Sequence, residues 1–177
     1  LLNDINSTDK EAIQRINQIV VSLKKFVRLD EAELQEADIN KELDLTLDLI
    51  RHETKHRITV VKHYGDIPMI KCYPNMLNQV FMNILVNACQ SIEKEGTITI
   101  TTYYADKFLK ISIKDTGKGI EDVNKIFMAG YTTKGVGVGT GLGLAISSKI
   151  IAKHNGKIDV KSELNVGSEF IITIPSK

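Results

Sequence analysis

Eight glycines fall between Gly117 and Gly143 in a chain of 177 residues that contains only 12. Glycine loses more backbone freedom on folding than any other residue, so a cluster is out of place inside a helix or strand. The stretch therefore separates regular structure before it from regular structure after it. It needs a task of its own, such as tight turns, a close backbone approach, or a loop that orders around a ligand. The rest of the chain is ordinary for a packed core, at 42% hydrophobic and 25% charged, which excludes wholesale disorder. Lys plus Arg total 23 against 22 for Asp plus Glu, which argues against a nucleic-acid binder. Apolar runs as short as Ile19-Val20-Val21 do not span or contact a membrane. The chain opens at Leu1 without Met or a signal peptide, which suggests a piece of something longer. Cys72 and Cys89 form no CxxC site and read as core residues of a reducing, intracellular compartment.

Periodicity predicts the elements. Ile13, Ile16, Val20, Leu23 and Val27 make a heptad seam, widened by Ile19 and Phe26, so residues 10–30 read as a bundle helix. Residues 30–36 then read as a linker. A second helix is expected over 41–56, with Leu43, Leu47, Ile50 and Thr54 on one face. A strand follows over 57–64, turned by Gly65-Asp66. Pro74 suits the first turn of a long helix over 74–94, buried through Leu77, Val80, Phe81, Ile84, Leu85 and Ala88 and ended by Gly96. Alternation over 97–104 and 107–114 predicts a hairpin linked at Ala105-Asp106. A helix over 142–154, closed by Asn155-Gly156, and strands over 157–162 and 168–175 complete the chain. Helices and hairpins without regular β-α-β alternation predict an α+β fold, a mixed sheet with helices on one face.

Four constellations bear on chemistry. His52-Glu53-Thr54-Lys55-His56 matches the H-E-x-x-H pattern of zinc proteases. Its polar surroundings and the lack of a downstream third ligand favour a solvated helix end. Gly139-Thr140-Gly141-Leu142-Gly143 runs into a helix, where free N–H groups cradle phosphate. It is neither a P-loop nor a Rossmann turn, since no Gly-Lys is followed by Ser or Thr and no strand immediately precedes it. Asp115-Thr116-Gly117-Lys118-Gly119-Ile120 ends a buried-looking strand and fails the calcium-loop pattern. Asn83 and Asn87 lie four apart on an otherwise apolar helix, and must be satisfied if buried or face a ligand.

In this order the segments resemble the ATP-binding domain of sensor histidine kinases, within the wider group that includes DNA gyrase, Hsp90 and MutL. Gln79 to Ala88 resembles the N box and Asp115 to Ile120 the G1 box. Ile126-Phe127 with Tyr131-Thr132-Thr133-Lys134 resembles the F box. Gly139 to Leu144 resembles the G2 box, and Gly167-Ser168-Glu169-Phe170 a late G3 box.

The resemblance implies a two-layer α/β sandwich of the Bergerat type, preceded by an N-terminal bundle helix. It implies Mg²⁺ and ATP or ADP as ligands. Asn87 would coordinate the Mg²⁺, with Asn83 assisting the phosphates or the metal. Asp115 would accept from the adenine amino group, and Ile120 would pack on the ring. Gly117 and Gly119 would allow close approach. Residues 121–142, including Phe127, would form a mobile ATP lid, with Lys134 near the phosphates and Gly139, Gly141 and Gly143 as its phosphate-facing hinge; Thr140, Leu142 and Leu144 beside them would also touch the nucleotide. Ser168 would complete the pocket.

Four departures refine this expectation. Gyrase-type ATPases carry a water-activating Glu where this chain has Asn83, which argues for phosphoryl transfer over hydrolysis. A related anti-sigma-type serine kinase is disfavoured by the preceding bundle helix. The F box lacks its Pro and second Phe, and Gln90 replaces a basic residue. No His is followed by the acceptor pattern. The helix over 10–30 resembles the second helix of the family's dimerisation hairpin, so the resemblance implies that 1–34 is the C-terminal part of that hairpin and 35–177 the catalytic domain. The acceptor His would lie upstream of Leu1, leaving this piece unable to phosphorylate itself. A homodimer, a response-regulator receiver domain and a cytoplasmic location, free or as part of a membrane-bound sensor, follow from the same resemblance.

Overall fold

A computed structural model describes residues 33–132 and 140–176. The helix expected over 10–30 lies outside the described residues, as do Lys134 and Gly139. In chain order the elements are β1 (Gln35–Ala37), α1 (Ile39–Leu49), the single turn α2 (Arg51–Thr54), β2 (Ile58–Tyr64) and β3 (Ile70–Cys72). They continue as α3 (Pro74–Ser91), β4 (Gly96–Ala105), β5 (Phe108–Asp115), α4 (Gly143–Lys153), β6 (Lys157–Glu163) and β7 (Gly167–Pro175).

The alternating segments form one open five-stranded sheet in the order β2-β4-β5-β7-β6. Only the β2–β4 pair is parallel, with Ile58 opposite Gly96. The other pairs are antiparallel. Successive side chains on a strand point to opposite faces, so one face carries the apolar set. Ile98 and Ile100 on β4, Leu109, Ile111 and Ile113 on β5, and Phe170, Ile172 and Ile174 on β7 are all buried.

Helices cover that face. α3 contributes Leu77, Val80, Phe81, Ile84, Leu85 and Ala88, α1 contributes Leu43 and Leu47, and α4 contributes Ile146, Ile150 and Ile151. Each such fully buried side chain contributes roughly 1.5–3 kcal/mol of transfer free energy. The result is the mixed α+β architecture expected. Cys72 and Cys89 are free and buried in this core, and burial pushes both thiols up to about 11.

Several boundaries differ from the sequence expectation. The linker expected over 30–36 ends in β1, which pairs antiparallel with β3, Gln35 opposite Cys72. Strands of three residues carry too little alternation to be seen in sequence. The helix expected over 41–56 breaks at Ile50, whose φ of −98° and ψ of 11° leave helical geometry. The break keeps Ile50 in the core at 2% exposure.

The helix expected over 74–94 ends at Ser91, because Ile92 turns extended into the core. Gly96 therefore does not end that helix. It opens β4, where a Cβ would meet Thr116 Oγ1 at 2.7 Å. The β4–β5 turn is Asp106-Lys107, one residue beyond the expected link. Both residues have positive φ, 54° and 65°, as a two-residue hairpin turn requires.

Candidate functional site

α3 carries a polar stripe on one side. Asn83, Asn87 and Ser91 are spaced four apart, so they stack along one helical face. Its last member, Ser91, meets the end of β5, where Asp115 is 2% exposed. The Asp115 carboxylate accepts at Oδ1 from the Gly117 N–H at 2.8 Å and from the Ser91 hydroxyl at 2.9 Å. Burial raises its pKa above the usual carboxylate range, and donation from Gly117, Ser91 and the Ser168 backbone offsets part of that rise.

The loop after Asp115 is fixed by its neighbours. Gly117 lies against Ser91, whose hydroxyl oxygen and Cβ leave no room for a Cβ on that glycine. The Lys118 N–H donates to the Ser91 carbonyl at 3.0 Å, and the Lys118 carbonyl accepts from Asn165 at 2.9 Å. Gly119 adopts φ +76° and faces the Glu163 carbonyl in the β6–β7 turn. The Ile120 N–H donates to Ser162 Oγ at 2.8 Å, and Ser162 Oγ meets Ser168 Oγ at 3.0 Å. These glycines were expected to admit a ligand. In this structure Gly117 also makes room for Ser91, and Gly119 for the Glu163 backbone.

α4 approaches from the other side. Its N-cap residue Leu142 makes no side-chain cap, and its first turn has no acidic residue. A helix start of this kind suits an anion. Gly141, at φ +65°, packs so tightly on Gly130 that a Cβ would lie 2.5 Å from the Gly130 carbonyl carbon. The Gly130 N–H donates to the Gly141 carbonyl at 3.0 Å. Asn83 Nδ2 donates to the Gly143 carbonyl at 2.9 Å and to Ser147 Oγ at 3.1 Å. Ile120, Phe127, Leu142 and Leu144 are partly buried against the core, so each keeps an apolar surface near this end of the sheet. Thr140 Oγ1 accepts from the Leu142 N–H at 3.4 Å.

Asn83, Asn87, Asp115, the 117–120 loop, Ser168 and the start of α4 thus come to one end of the sheet. H-E-x-x-H does not form a metal site. α2 ends at Thr54, and His56 sits at φ 72° outside the helix, so its two histidines do not share a helical face. Among the described residues no cluster of three metal-binding side chains occurs. A separate open concavity of about 530 Å³, lined by His56, Arg57, Thr59, Glu95 and Thr97 among others, contains none of the site residues.

Residues 72–177 match the family described as histidine kinase-, DNA gyrase B-, and HSP90-like ATPase. The chain belongs to this family. Sensor histidine kinase ZraS of Escherichia coli K12 is 35% identical over 170 residues, which cover 94% of this chain and 36% of ZraS. The chain thus spans about a third of the length of that relative. The catalytic domain of histidine kinase ThkA superposes with a TM-score of 0.71 at 30% identity, covering 81% of this chain and 96% of that domain. Full-length ShkA in complex with AMPPNP superposes with a TM-score of 0.81 at 27% identity, covering 98% of this chain and 38% of ShkA.

Within this ATPase-family fold, sequence reasoning overlooked four supporting residues: Ser91, Ser147, Ser162 and Gly130. Ser91 carried a signal, because it continues the Asn83–Asn87 spacing by one more turn. Ser162 and Gly130 carried none, since their partners Ile120 and Gly141 are distant in sequence.

Proposed function

We propose that residues 35–177 bind Mg-ATP and present its γ-phosphoryl group to a histidine acceptor, as the catalytic part of a sensor histidine kinase. The observation that carries this reading is the buried Asp115 carboxylate, set between the α3 polar stripe and the uncapped start of α4. Asp115 accepts from the adenine amino group, and Ile120 packs on the ring. Gly143, Leu144 and their neighbours offer backbone N–H groups to the phosphates, with Thr140, Gly141 and Leu142 leading into that turn. Ser168 holds the base end closed through Ser162.

The donor set fits a metal shared with the nucleotide. Among the described residues no three acidic, His or Cys side chains converge, so the phosphates must provide most ligands. Asn87 is the residue we assign to Mg²⁺. The ion supplies charge neutralisation when bound, and the chain supplies position and excluded water. No carboxylate stands at position 83 to activate water, which favours transfer over hydrolysis.

Residues 1–34 are proposed to belong to a dimerisation hairpin. A receiver domain of a response regulator would take the phosphoryl group from the histidine, in the cytoplasm. Among the described residues no helix is long and apolar enough to cross a membrane.

Titration calorimetry with Mg-ADP tests the reading. The wild type is expected to bind, and Asp115→Ala or Asn87→Ala to remove the heat. A wild type that does not bind overturns the proposal.

A further inference from the structure

Asn83 faces α4, and its geometry restricts what it can do. Its amide nitrogen carries two hydrogens, and both are engaged, one on the Gly143 carbonyl at 2.9 Å and one on Ser147 Oγ at 3.1 Å. A carbonyl only accepts, so the nitrogen and not the oxygen must face Gly143. Ser147 is itself buried, and its hydroxyl lies 2.9 Å from the same Gly143 carbonyl. The three groups form a closed knot between the middle of α3 and the first turn of α4. Gly143 is the first residue of α4, and an added Cβ there would lie 3.4 Å from Asn83 Cγ. The N-cap residue Leu142 makes no side-chain cap. The Gly130 N–H holds Gly141, two positions before Gly143, and Asn83 is the α3 side chain that reaches Gly143 itself.

We infer that Asn83 is a positioning residue that latches the glycine-rich start of α4 to α3, and so aims the amides that receive the phosphates. It acts through Gly143 and not as a ligand of the metal. The inference rests on the proposed nucleotide site. It also gives a physical reason for an amide at this position. A carboxylate has no hydrogen to donate, so it would face the Gly143 carbonyl with like partial charge and release the turn. A water-activating acid and this latch cannot share the position.

Asn83→Asp and Asn83→Ala separate the two roles. Aspartate matches the shape and would serve a metal at least as well, but it cannot make the latch. Calorimetry is done with ADP and with adenosine, each in Mg²⁺ and in EDTA. Both variants are expected to weaken ADP about tenfold, equally with and without Mg²⁺, as loss of one net hydrogen bond implies. Adenosine affinity should stay within about twofold, because the base end is untouched. In the free protein, hydrogen exchange at the Ile146 and Ser147 amides should speed up, with Ile150 and Ile151 unchanged. Retained ADP affinity in Asn83→Asp, a loss confined to Mg²⁺, or an equal loss for adenosine overturns the latch. A wild type that binds no ADP instead overturns the proposed function. The exchange rates of Asn83→Ala then decide the latch alone, and unchanged rates sink it.

Discussion

The Ser91 hydroxyl lies 2.9 Å from Oδ1 of Asp115 and 2.8 Å from the carbonyl of Ala88 one turn back on α3. One hydroxyl hydrogen serves two acceptors, so the last turn of a helix and the end of a strand share a single donor. The same serine blocks any side chain at Gly117. Helix end, strand end and loop are thereby set by one residue.

Removing that hydroxyl should change how Asp115 titrates. Burial already raises its pKa, and the Ser91 donor counteracts this. In Ser91→Ala the carboxylate should take up a proton at a higher pH than in the wild type. On the proposed reading, ADP affinity falls as Asp115 protonates, so the acid limb of the affinity profile moves to higher pH. Calorimetry across a pH series measures this. Superimposable profiles for the two proteins would rule out the coupling.

Asp115→Asn should separate stability from binding. A group whose folded-state pKa is raised is penalised when ionised, and the penalty is relieved as pH falls through that pKa. The neutral amide escapes the penalty and still accepts at Oδ1 from Gly117 and Ser91. Melting temperature at neutral pH is therefore expected to hold or rise. ADP affinity should drop roughly 30-fold, since a hydrogen bond to a charged acceptor is worth about 2 kcal/mol. A melting temperature well below the wild type would contradict the account of Asp115.

His154 carries a pH dependence of opposite sign. Its Nε2 accepts from the Tyr73 N–H at 3.1 Å, before the first turn of α3, while Nδ1 meets the Ile150 carbonyl at 2.8 Å. Burial lowers its pKa below 6.5, the Ile150 contact raises it in part, and Lys153 lowers it further. The folded state therefore binds fewer protons than the unfolded one just below the ordinary histidine value. Stability present at neutral pH is lost as pH falls from about 6.5 toward the lowered pKa. His154→Gln can accept and donate at the same places without titrating. Denaturant melts of this variant should show a shallower loss between pH about 7 and 5. An unchanged slope would assign the acid sensitivity elsewhere.

Arg57 closes the far end of α3. Its Nη1 donates to the Ile92 carbonyl at 2.5 Å, its Nη2 to Cys89 at 3.0 Å, and its Nε to Glu53 at 3.1 Å. A cation at a helix C-terminus also suits the helix dipole. Arg57→Ala should cost about 1–3 kcal/mol, since carbonyls lose a charged donor. Arg57→Lys should recover only part, because one ammonium cannot span the same fork of acceptors. Equal stability of lysine and arginine at this position would mean that charge alone matters.

Much of the fold was legible from period alone. The alternation of β4 and β5 and the buried stripe of α3 follow from spacing, because burial of one face imposes it. β1, β3 and the break at Ile50 were not legible. Short strands have no period, and Ile50 turns inward only because a core is already there. The candidate site was legible as five ordered segments, including Asn83, Asn87, Asp115 and Gly143. Their mutual contacts were not.

The sequence by itself determined the element types, the apolar face of each, and the family to which the glycine and asparagine pattern belongs. These depend on neighbours a few residues apart. Only the tertiary structure decided which neighbours the glycines meet and what Asn83 bonds. Gly117 yields to Ser91, Gly119 to the β6–β7 turn, and Gly141 to Gly130. Asn83 reaches a carbonyl 60 residues away. Such contacts form when separate elements close-pack on one core, and no local pattern encodes which backbone will arrive.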